Sequence, residues 1–314
     1  MKKWIAGLLV IITLTILGIY IFIPSKIVIT GVTASRVPIS AAFRSIGQQN
    51  KWEKWWRDSN GKPHGKGEPF SYNGSTFRLT QTGYNVAAIE IEQDGIIIQS
   101  ELALVSTNKD STWALWNGSF PVTYNPFTRK QLYKKAAEIN KNLKGVLNNL
   151  KEYTSDPQKL YELSIVRTSF RDTNMLSTRF ITRRNPSTEE IYSQFNILKK
   201  SIQKQHGQIT GYPMVNVRML KADSFETQVA IPTSHTLQNE GAIFYRKMVP
   251  GNFLTATVKG GEYTVRESMQ QLDFFMKDHG KIQVARPFEQ FITDRTTEPD
   301  TAKWLTRIYL PVVE

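Results

Sequence analysis

The sequence has no cysteine among its 314 residues. Disulfides, thiol catalysis, cysteine-ligated zinc and a lipid-modified amino-terminal cysteine are therefore excluded. Only four histidines occur, and the two that fall in predicted loops, His64 and His235, have no second histidine or acid at metal-ligand spacing. Neither a Gly-x-Ser-x-Gly nucleophile motif nor a phosphate-binding loop is present. The sequence thus predicts no metal and no cofactor, and it favours a binding protein over an enzyme.

Acidic residues are also scarce relative to basic ones, which gives a net charge of +13 and a pI of about 9.7. A positive balance favours anionic partners such as nucleic acid or acidic lipid headgroups. No block of lysine and arginine marks a binding patch, so a solvated basic surface is the alternative interpretation. No helix-turn-helix is visible, and we expect no nucleic-acid partner.

One long apolar run stands at the amino terminus, from Trp4 to Ile23, preceded by Lys2 and Lys3 and followed by Pro24. Twenty helical residues span about 30 Å, the hydrocarbon thickness of a bilayer. A cleaved signal peptide is the alternative, but its apolar core is usually shorter and no small-x-small cleavage site follows. Residues 1–25 are therefore predicted to be an uncleaved single-pass anchor. The two lysines predict a cytoplasmic amino terminus and an extracytoplasmic remainder of the chain.

Residues 26–153 show a strand, a short helix, several antiparallel strands and one long helix. Strands are predicted at the ranges 26–36, 75–81, 84–93, 95–107 and 112–123. Asp94-Gly95 predicts a type I′ hairpin turn. Asn125-Pro126 predicts the start of a long helix, with asparagine as N-cap and proline at the first helical position. The apolar stripe predicted along that helix is Leu132, Ala136, Ile139, Leu143, Leu147 and Leu150.

This order of elements, with the segment Trp52-x-x-Trp55-Trp56 after the first strand and short helix, resembles the START-like polyketide-cyclase family (the SRPBCC superfamily). The resemblance covers about 125 residues. It implies a helix-grip fold, in which a curved sheet wraps the long helix around an apolar ligand cavity. Trp52, Trp55 and Trp56 would then lie near the cavity mouth, where Trp55 and Trp56 are predicted to contact ligand; packing in the core or on the surface is the alternative.

The carboxy-terminal half contains a duplication. His206-Gly207-Gln208-Ile209 returns as His279-Gly280-Lys281-Ile282, Pro213 returns as Pro287, and a strand ending at Pro232 returns as one ending at Pro311. Strands are predicted at 161–170, 176–183, 214–220 and 225–231, and again at 242–248, 253–258, 288–293 and 304–311. The repeats therefore predict two ββαββ units, at about 160–235 and 241–314, related by a pseudo-twofold axis.

Each repeat is predicted to carry one amphipathic helix. Ser187-x-x-Glu190 and Thr264-x-x-Glu267 are predicted capping boxes. The helices are predicted to end at His206-Gly207 and His279-Gly280, with glycine as the left-handed cap and the histidines in equivalent last turns. The buried stripes are predicted to be Ile191, Phe195, Leu198 and Ile202, and then Val265, Met269, Leu272 and Phe275 or Met276.

Three segments of this half resemble the effector-binding domain of gyrase-inhibitor-like proteins and of some transcription activators. They are Gly260-Gly261-Glu262-Tyr263, then Arg286-Pro287-Phe288-Glu289-Gln290-Phe291-Ile292-Thr293-Asp294, and finally the 305–312 strand, LTRIYLPV. The resemblance covers about 155 residues. It implies a cleft between the two repeats that binds small organic molecules, often aromatic and cationic, with Glu289 as the acidic group and Tyr263 as an aromatic one.

A carboxylate beside aromatic rings binds an organic cation by Coulomb attraction and cation–π contact. The residues predicted to bind ligand are Glu289, Tyr263, Phe291, Tyr309, Arg307, Trp304, Trp55 and Trp56. Strand alternation predicts that Glu289 and Phe291 share a face, and that Arg307 and Tyr309 do too. Arg307 departs from the family, which often has an acid there. It either shifts preference toward neutral or anionic ligands or pairs with Glu289.

Together these patterns predict an α+β protein: an amino-terminal transmembrane helix, a helix-grip domain at 26–153 and a duplicated effector-binding domain at 154–314. The predicted function is membrane-anchored, extracytoplasmic binding or sensing of a small organic molecule. Two alternatives stay open. One is a hydrolase- or cyclase-like enzyme, with Glu289 and Tyr263 as base and acid. The other is an adaptor that docks on envelope partners.

Overall fold

The computed structural model describes residues 2–170, 173–221, 223–248 and 250–313. By its internal contacts the chain divides into two compact units, Met1–Asp156 and Pro157–Glu314. Each unit is mixed α+β and is built on one antiparallel sheet. We refer to them below as unit 1 and unit 2.

Helix α1, Lys2–Phe22, is the apolar helix that the sequence predicts. Its segment Trp4–Phe22 has a mean hydropathy of 2.6 and no buried residues, so it is long and apolar enough to cross a membrane. This result concerns the length and composition of the helix, and the membrane anchor stays a prediction. The hydroxyls of Thr13 and Thr15 donate to carbonyls four residues back, which satisfies the two polar side chains within the helix.

The rest of unit 1 is a six-stranded sheet with one long helix packed against it. The sheet order is β1-β6-β5-β4-β3-β2. The strands are β1 Lys26–Ser35, β2 Phe70–Tyr72, β3 Ser75–Gly83, β4 Val86–Gln93, β5 Ile96–Asn108 and β6 Ser111–Pro121, and the helices are α2 Ile39–Ile46, α3 Gln49–Trp52 and α4 Pro126–Thr154. The predicted strands form, and β2 is an addition. Asp94 and Gly95 both have positive φ, as the predicted hairpin turn requires.

Helix α4 begins where the Asn-Pro signal predicts. The Asn125 side chain accepts hydrogen bonds from the backbone N–H groups of Phe127 and Thr128. The predicted stripe is buried from Ala136 to Leu150. At Gly31 of β1 an added Cβ would lie 2.7 Å from Leu147 Cδ1, so glycine lets the helix approach the sheet closely.

The tryptophans of the Trp-x-x-Trp-Trp segment are in the core of unit 1. Trp52, Trp55 and Trp56 are 1%, 4% and 2% exposed, and Trp52 stacks on Trp56 with ring centroids 5.4 Å apart. Each indole N–H donates to a backbone carbonyl, as buried tryptophan requires. The packing alternative therefore accounts for them. The order of elements agrees with the expected helix-grip arrangement, and membership of the START-like family stays a prediction.

Unit 2 forms a nine-stranded sheet that carries two helices. Its elements are α5 Pro157–Tyr161, β7 Val166–Phe170, β8 Thr173–Thr182, α6 Thr188–Lys204, β9 Met214–Lys221, β10 Ser224–Thr233, β11 Phe244–Met248, β12 Gly251–Lys259, α7 Glu262–Asp278, β13 Ile282–Gln283, β14 Phe288–Phe291, a 3-10 turn Thr301–Lys303 and β15 Leu305–Val313. The start of the first predicted strand, at 161, is the end of α5 instead. The two ββαββ repeats are otherwise present.

The strand order shows the pseudo-twofold directly: β11-β8-β10-β9-β14-β15-β12-β7, with β13 paired to β15. Exchanging each strand for its counterpart in the other repeat reverses this order, and the axis passes between β9 and β14. The first strand of each repeat is swapped, because β7 pairs with β12 and β11 with β8. The repeats are thus joined into one sheet at three places, and unit 2 is a single domain.

The two helices match at an offset of 74 residues, which is the offset of the Pro213–Pro287 pair. Their N-caps are Ser187 and Gly261, and their left-handed C-terminal residues are His206 and Gly280. The prediction of equivalent histidines is therefore wrong by one residue. His279 is instead the C-cap of α7, and its Nδ1 lies 2.8 Å from the Phe275 carbonyl oxygen.

One of the two predicted capping boxes forms. Ser187 and Glu190 exchange both hydrogen bonds at the start of α6. In the second repeat α7 begins three residues earlier than predicted, with Gly261 as N-cap, and Thr264 lies inside the helix. Gly207 has an ordinary φ, so the prediction of a left-handed glycine there is also wrong. An added Cβ on Gly207 would lie 2.9 Å from Leu237 Cδ1, and close packing explains the glycine.

Candidate functional site

A cleft lies between the amino-terminal halves of α6 and α7, with β9 and β14 as its floor. It has a volume of about 300 Å³, the lower end of the range for small-molecule sites. Both repeats contribute to it. The lining residues are Asn185, Pro186, Thr188, Ile191, Val215, Asn216, Val217, Glu262, Val265, Arg266, Met269, Pro287, Phe288, Glu289, Phe291, Arg295 and Trp304.

The register of β14 aims Glu289 into this cleft. Glu289 is paired with Val215 of β9 and with Ile308 of β15, and both neighbours face the helices. Phe291, two residues on, faces the same way and packs with Phe195 of α6. The prediction that Glu289 and Phe291 share a face is confirmed.

The Glu289 carboxylate has no hydrogen-bond or ion-pair partner among the residues that the structure describes. It is half-buried, and protein atoms surround the carboxyl closely. Burial therefore raises the pKa of Glu289 to about 7, because desolvation disfavours the charged form. The Arg295 guanidinium pulls this pKa down, and the Glu262 carboxylate pushes it up. An unpartnered carboxyl that titrates near neutrality is uncommon outside functional sites.

The motif-based prediction missed Arg295, which supplies the positive charge of the cleft. Its Cζ lies 3.3 Å from the centroid of the Phe291 ring and 4.6 Å from that of Trp304. The guanidinium is thus packed against two aromatic rings, in the place where a cationic ligand would stack. Burial lowers the pKa of Arg295, and Glu289 raises it.

Only part of the Arg295 guanidinium is hydrogen-bonded. Nη2 donates to Thr306 Oγ1 at 2.9 Å, while Nε is buried and has no partner among the described residues. Asn216 Nδ2 donates to the Pro287 carbonyl at 2.8 Å, and within the described part of the chain its buried Oδ1 also has no partner. Buried polar atoms of this kind cost free energy unless something binds them. The Arg295 Nε and the Asn216 Oδ1 are thus buried behind the cleft surface, and the Glu289 carboxyl is the group without a partner that faces the cleft.

Arg295 and Trp304 both come from the loop that distinguishes the second repeat. Residues 292–304 join β14 to β15, whereas only two residues separate the equivalent strands β9 and β10. The Arg295 backbone N–H donates to the Tyr192 hydroxyl of α6 at 2.8 Å, and Trp304 Nε1 donates to the Glu298 carbonyl at 2.8 Å. The first contact ties the loop to α6 and the second lies within the loop, from which Arg295 and Trp304 line the cleft. The sequence carries a signal of this insertion, because Pro213 and Pro287 are 74 residues apart whereas Pro232 and Pro311 are 79 apart.

Glu289, Phe291 and Trp304 are the predicted ligand residues that the structure brings together. Tyr263 is not among the residues that line the cleft: it is 66% exposed in the first turn of α7, with Arg266 over its ring at 5.4 Å. Its neighbour Glu262 lines the cleft in its place and accepts a hydrogen bond from Asn185. Helix α7 begins earlier than predicted, and this changes which residue of the Gly-Gly-Glu-Tyr segment faces inward.

Arg307 and Tyr309 share a face, as predicted, but it is the opposite face of the sheet from Glu289. Arg307 pairs with Gln290 across the strands and donates through Nε to Thr257 Oγ1 at 3.2 Å. Tyr309 stacks on Phe288 at 4.8 Å. The suggested Arg307–Glu289 pair therefore does not form. Trp55 and Trp56 belong to the core of unit 1 and do not join this site.

No protein-family model and no curated protein matches the sequence. Among solved structures, the EcmrR C-terminal domain is 18% identical over 48% of this chain and 98% of that chain, with a TM-score of 0.43. SAV2435 bound to tetraphenylphosphonium is 11% identical over 48% and 94%, with a TM-score of 0.34. A hydrolase from Listeria innocua is 10% identical over 48% and 92%, with a TM-score of 0.39. Likeness at these scores establishes nothing alone, so the site rests on its own geometry.

Proposed function

We propose that unit 2 is an effector-binding domain of the gyrase-inhibitor-like kind, and that it binds a small organic molecule in the cleft between α6 and α7. The observation that carries the proposal is the Glu289 carboxyl, which faces an open cleft without a partner. Arg295, stacked on Phe291 and Trp304, lies in the same cleft with an unsatisfied N–H. A ligand would give the Glu289 carboxyl the hydrogen-bond partner that the described residues do not supply.

The ligand class follows from these groups. The apolar side chains of Ile191, Val265 and Met269 line the cleft and favour a ligand with an aromatic ring. Glu289 needs a hydrogen-bond donor, and the positive charge of Arg295 favours an acceptor. An uncharged or zwitterionic aromatic molecule meets all three requirements. A simple organic cation meets them poorly, because Arg295 already covers the aromatic faces and repels positive charge. Tetraphenylphosphonium, which SAV2435 holds, is therefore a probe that we expect to bind weakly here, and phenylurea is one that we expect to bind.

We also propose that α1 anchors the protein in a membrane and that both units are extracytoplasmic. The apolar segment Trp4–Phe22 supports the span, and the lysines before it support the orientation. On this proposal the cleft meets molecules outside the cytoplasm. Flotation of the full-length protein with vesicles tests the anchor, and protease accessibility in cells tests the side.

Filling the cleft is expected to weaken ligand binding strongly. Met269 of α7 is half-buried and lines the cleft, so Met269→Trp places an indole in the cavity without changing any charge. We expect at least about a tenfold loss of phenylurea affinity, since excluding an aromatic ring costs more than about 1.4 kcal/mol. Saturation-transfer NMR on the full-length protein in detergent measures it.

The matched control is Met219→Trp, because Met219 of β9 is 60% exposed and does not line the cleft. This variant should bind phenylurea as the wild type does. Unchanged binding to Met269→Trp would place the ligand elsewhere and reject the proposed site.

A second candidate function is catalysis by Glu289 alone. A carboxyl with a pKa of about 7 is suited to general acid or base work at neutral pH. The expected partner Tyr263 does not line the cleft, so any proton transfer would use Glu289 without it. Turnover of a panel of esters and cyclic substrates, lost in Glu289→Gln and retained in Met219→Trp, would favour this function over binding.

A further inference from the structure

The end of α1 is fixed to the start of α4 within unit 1. The Tyr20 hydroxyl donates to the carbonyl oxygen of Tyr124, which immediately precedes the α4 N-cap. Arg129 of α4 donates through Nε to the Ile23 carbonyl at 3.0 Å, and its guanidinium lies 4.9 Å from the Tyr20 ring centroid. Arg129 is only 6% exposed. These contacts hold the turn before α4 beside the last residues of α1.

The position of this turn relative to a bilayer follows from the span. Nineteen helical residues from Trp4 to Phe22 rise about 28 Å, close to the thickness of the hydrocarbon core. Tyr20 and Phe22 then lie at its boundary. Because the Tyr20 hydroxyl donates a hydrogen bond to Tyr124, the turn lies at the same depth in the bilayer as Tyr20, in the headgroup region.

The side chains of this turn have the composition of a membrane interface. Tyr124 is 91% exposed and Phe127 is 73% exposed, although large apolar side chains usually pack. Lys130 and Lys134 follow on the same face of α4, and both are exposed. Aromatic rings favour the interfacial region, and lysines there pair with lipid phosphates.

We propose that the segment from Tyr124 to Lys134, here called the interfacial segment, is a second membrane contact. Tyr124 and Phe127 insert among the headgroups of the leaflet at the α1 carboxyl end, and Lys130 and Lys134 meet lipid phosphates. The inference rests on the proposed anchor and goes beyond it, because an anchor alone would not fix the orientation of unit 1 relative to the bilayer. With the buried Arg129 contact, the interfacial segment seats unit 1 on the bilayer in one orientation.

The absence of cysteine makes the test direct, because one introduced cysteine is the only site for a thiol-reactive dye. Phe127→Cys and Tyr124→Cys, each labelled with NBD, are reconstituted as the full-length protein in vesicles of phosphatidylcholine and phosphatidylglycerol. We expect a blue-shifted emission and loss of fluorescence when the vesicles contain lipid with a nitroxide near the headgroup.

Tyr84→Cys is the matched control. Tyr84 is 93% exposed, in the turn between β3 and β4. Neighbouring Val86 is aligned through β5 and β6 with Val32 of β1, six residues beyond Lys26 and thus about 20 Å further along the sheet. A label there should show neither the shift nor the quenching.

The outcomes separate the inference from the anchor. If the protein floats with the vesicles and the labels at 124 and 127 behave like the label at 84, the inference is overturned and the anchor stands. If the protein does not float, both are overturned, and ligand binding in unit 2 is unaffected. Flotation together with quenching confined to positions 124 and 127 supports the inference.

Discussion

Replacing Glu289 by glutamine is expected to change the free energy of unfolding in a pH-dependent way. Relative to the wild type, the variant should be more stable above pH 7 than it is at pH 4.5. Burial raises the pKa of Glu289 from 4.5 to about 7, so the folded state holds a proton that the unfolded state has released within this window. Raising the pH from 4.5 to 7 therefore destabilises the wild type. Glutamine does not titrate and escapes the loss. Each tenfold change in acidity constant is worth about 1.4 kcal/mol, so the difference grows by up to about 3 kcal/mol.

Melting temperature measured from pH 4.5 to about pH 8 checks this result. A change of about 3 kcal/mol corresponds to roughly 6–12 °C for a domain the size of unit 2. Glu267→Gln, an exposed substitution on α7, is the control for loss of one negative charge and should show no comparable change. If the difference in melting temperature between Glu289→Gln and the wild type were the same at every pH, the carboxyl would not be desolvated.

Replacing Arg295 by methionine is expected to turn the cleft into a cation site. The guanidinium now covers Phe291 and Trp304, and its charge opposes a second cation. Methionine keeps an unbranched apolar stem but is shorter than arginine, so it removes the charge and uncovers the aromatic faces. A cation–π contact in a desolvated site is worth about 1–2 kcal/mol, so affinity for benzyltrimethylammonium should rise about tenfold or more.

The measurement is a binding titration above pH 7, where Glu289 is ionised, because loss of Arg295 also raises the pKa of Glu289. Arg266→Met is the control: it removes a positive charge that lines the cleft but leaves Arg295 on its two rings. It should change the affinity far less. Equal gains in the two variants would mean that net charge, and not the covered aromatic faces, excludes cations. No gain in Arg295→Met would contradict the assigned role of Arg295.

Local signals in the sequence predicted much of this fold. Asn125 caps α4, Ser187 and Glu190 form their box, and the helical stripes are buried, because caps and periodicity depend on neighbours within a few residues. The duplication also predicted two ββαββ units. It could not predict that β7 and β11 exchange places, since the choice of edge partner depends on the assembled sheet.

The site was harder to predict for the same reason. Alternation placed Glu289 and Phe291 together within one strand, yet the register between β14 and β15 put Glu289 opposite Ile308, and Arg307 opposite Gln290. A shift of one residue changes the face of a side chain. Arg295 lies just past the motif, in the inserted loop of the second repeat, where alignment of the repeats gives no guide. The arginine that supplies the positive charge of the cleft is thus Arg295, whereas the sequence suggested Arg307.

The carbon-13 resonance of the Glu289 carboxyl tests the central claim most directly. With glutamate labelled at the carboxyl carbon, the resonance is assigned by its loss in Glu289→Gln and followed through a pH titration, with and without phenylurea. A midpoint near pH 7 that moves lower with phenylurea is predicted, because an N–H donor favours the charged carboxylate. A midpoint near the ordinary value of 4.5 that phenylurea does not change would contradict the claim that Glu289 is a desolvated, ligand-binding carboxyl.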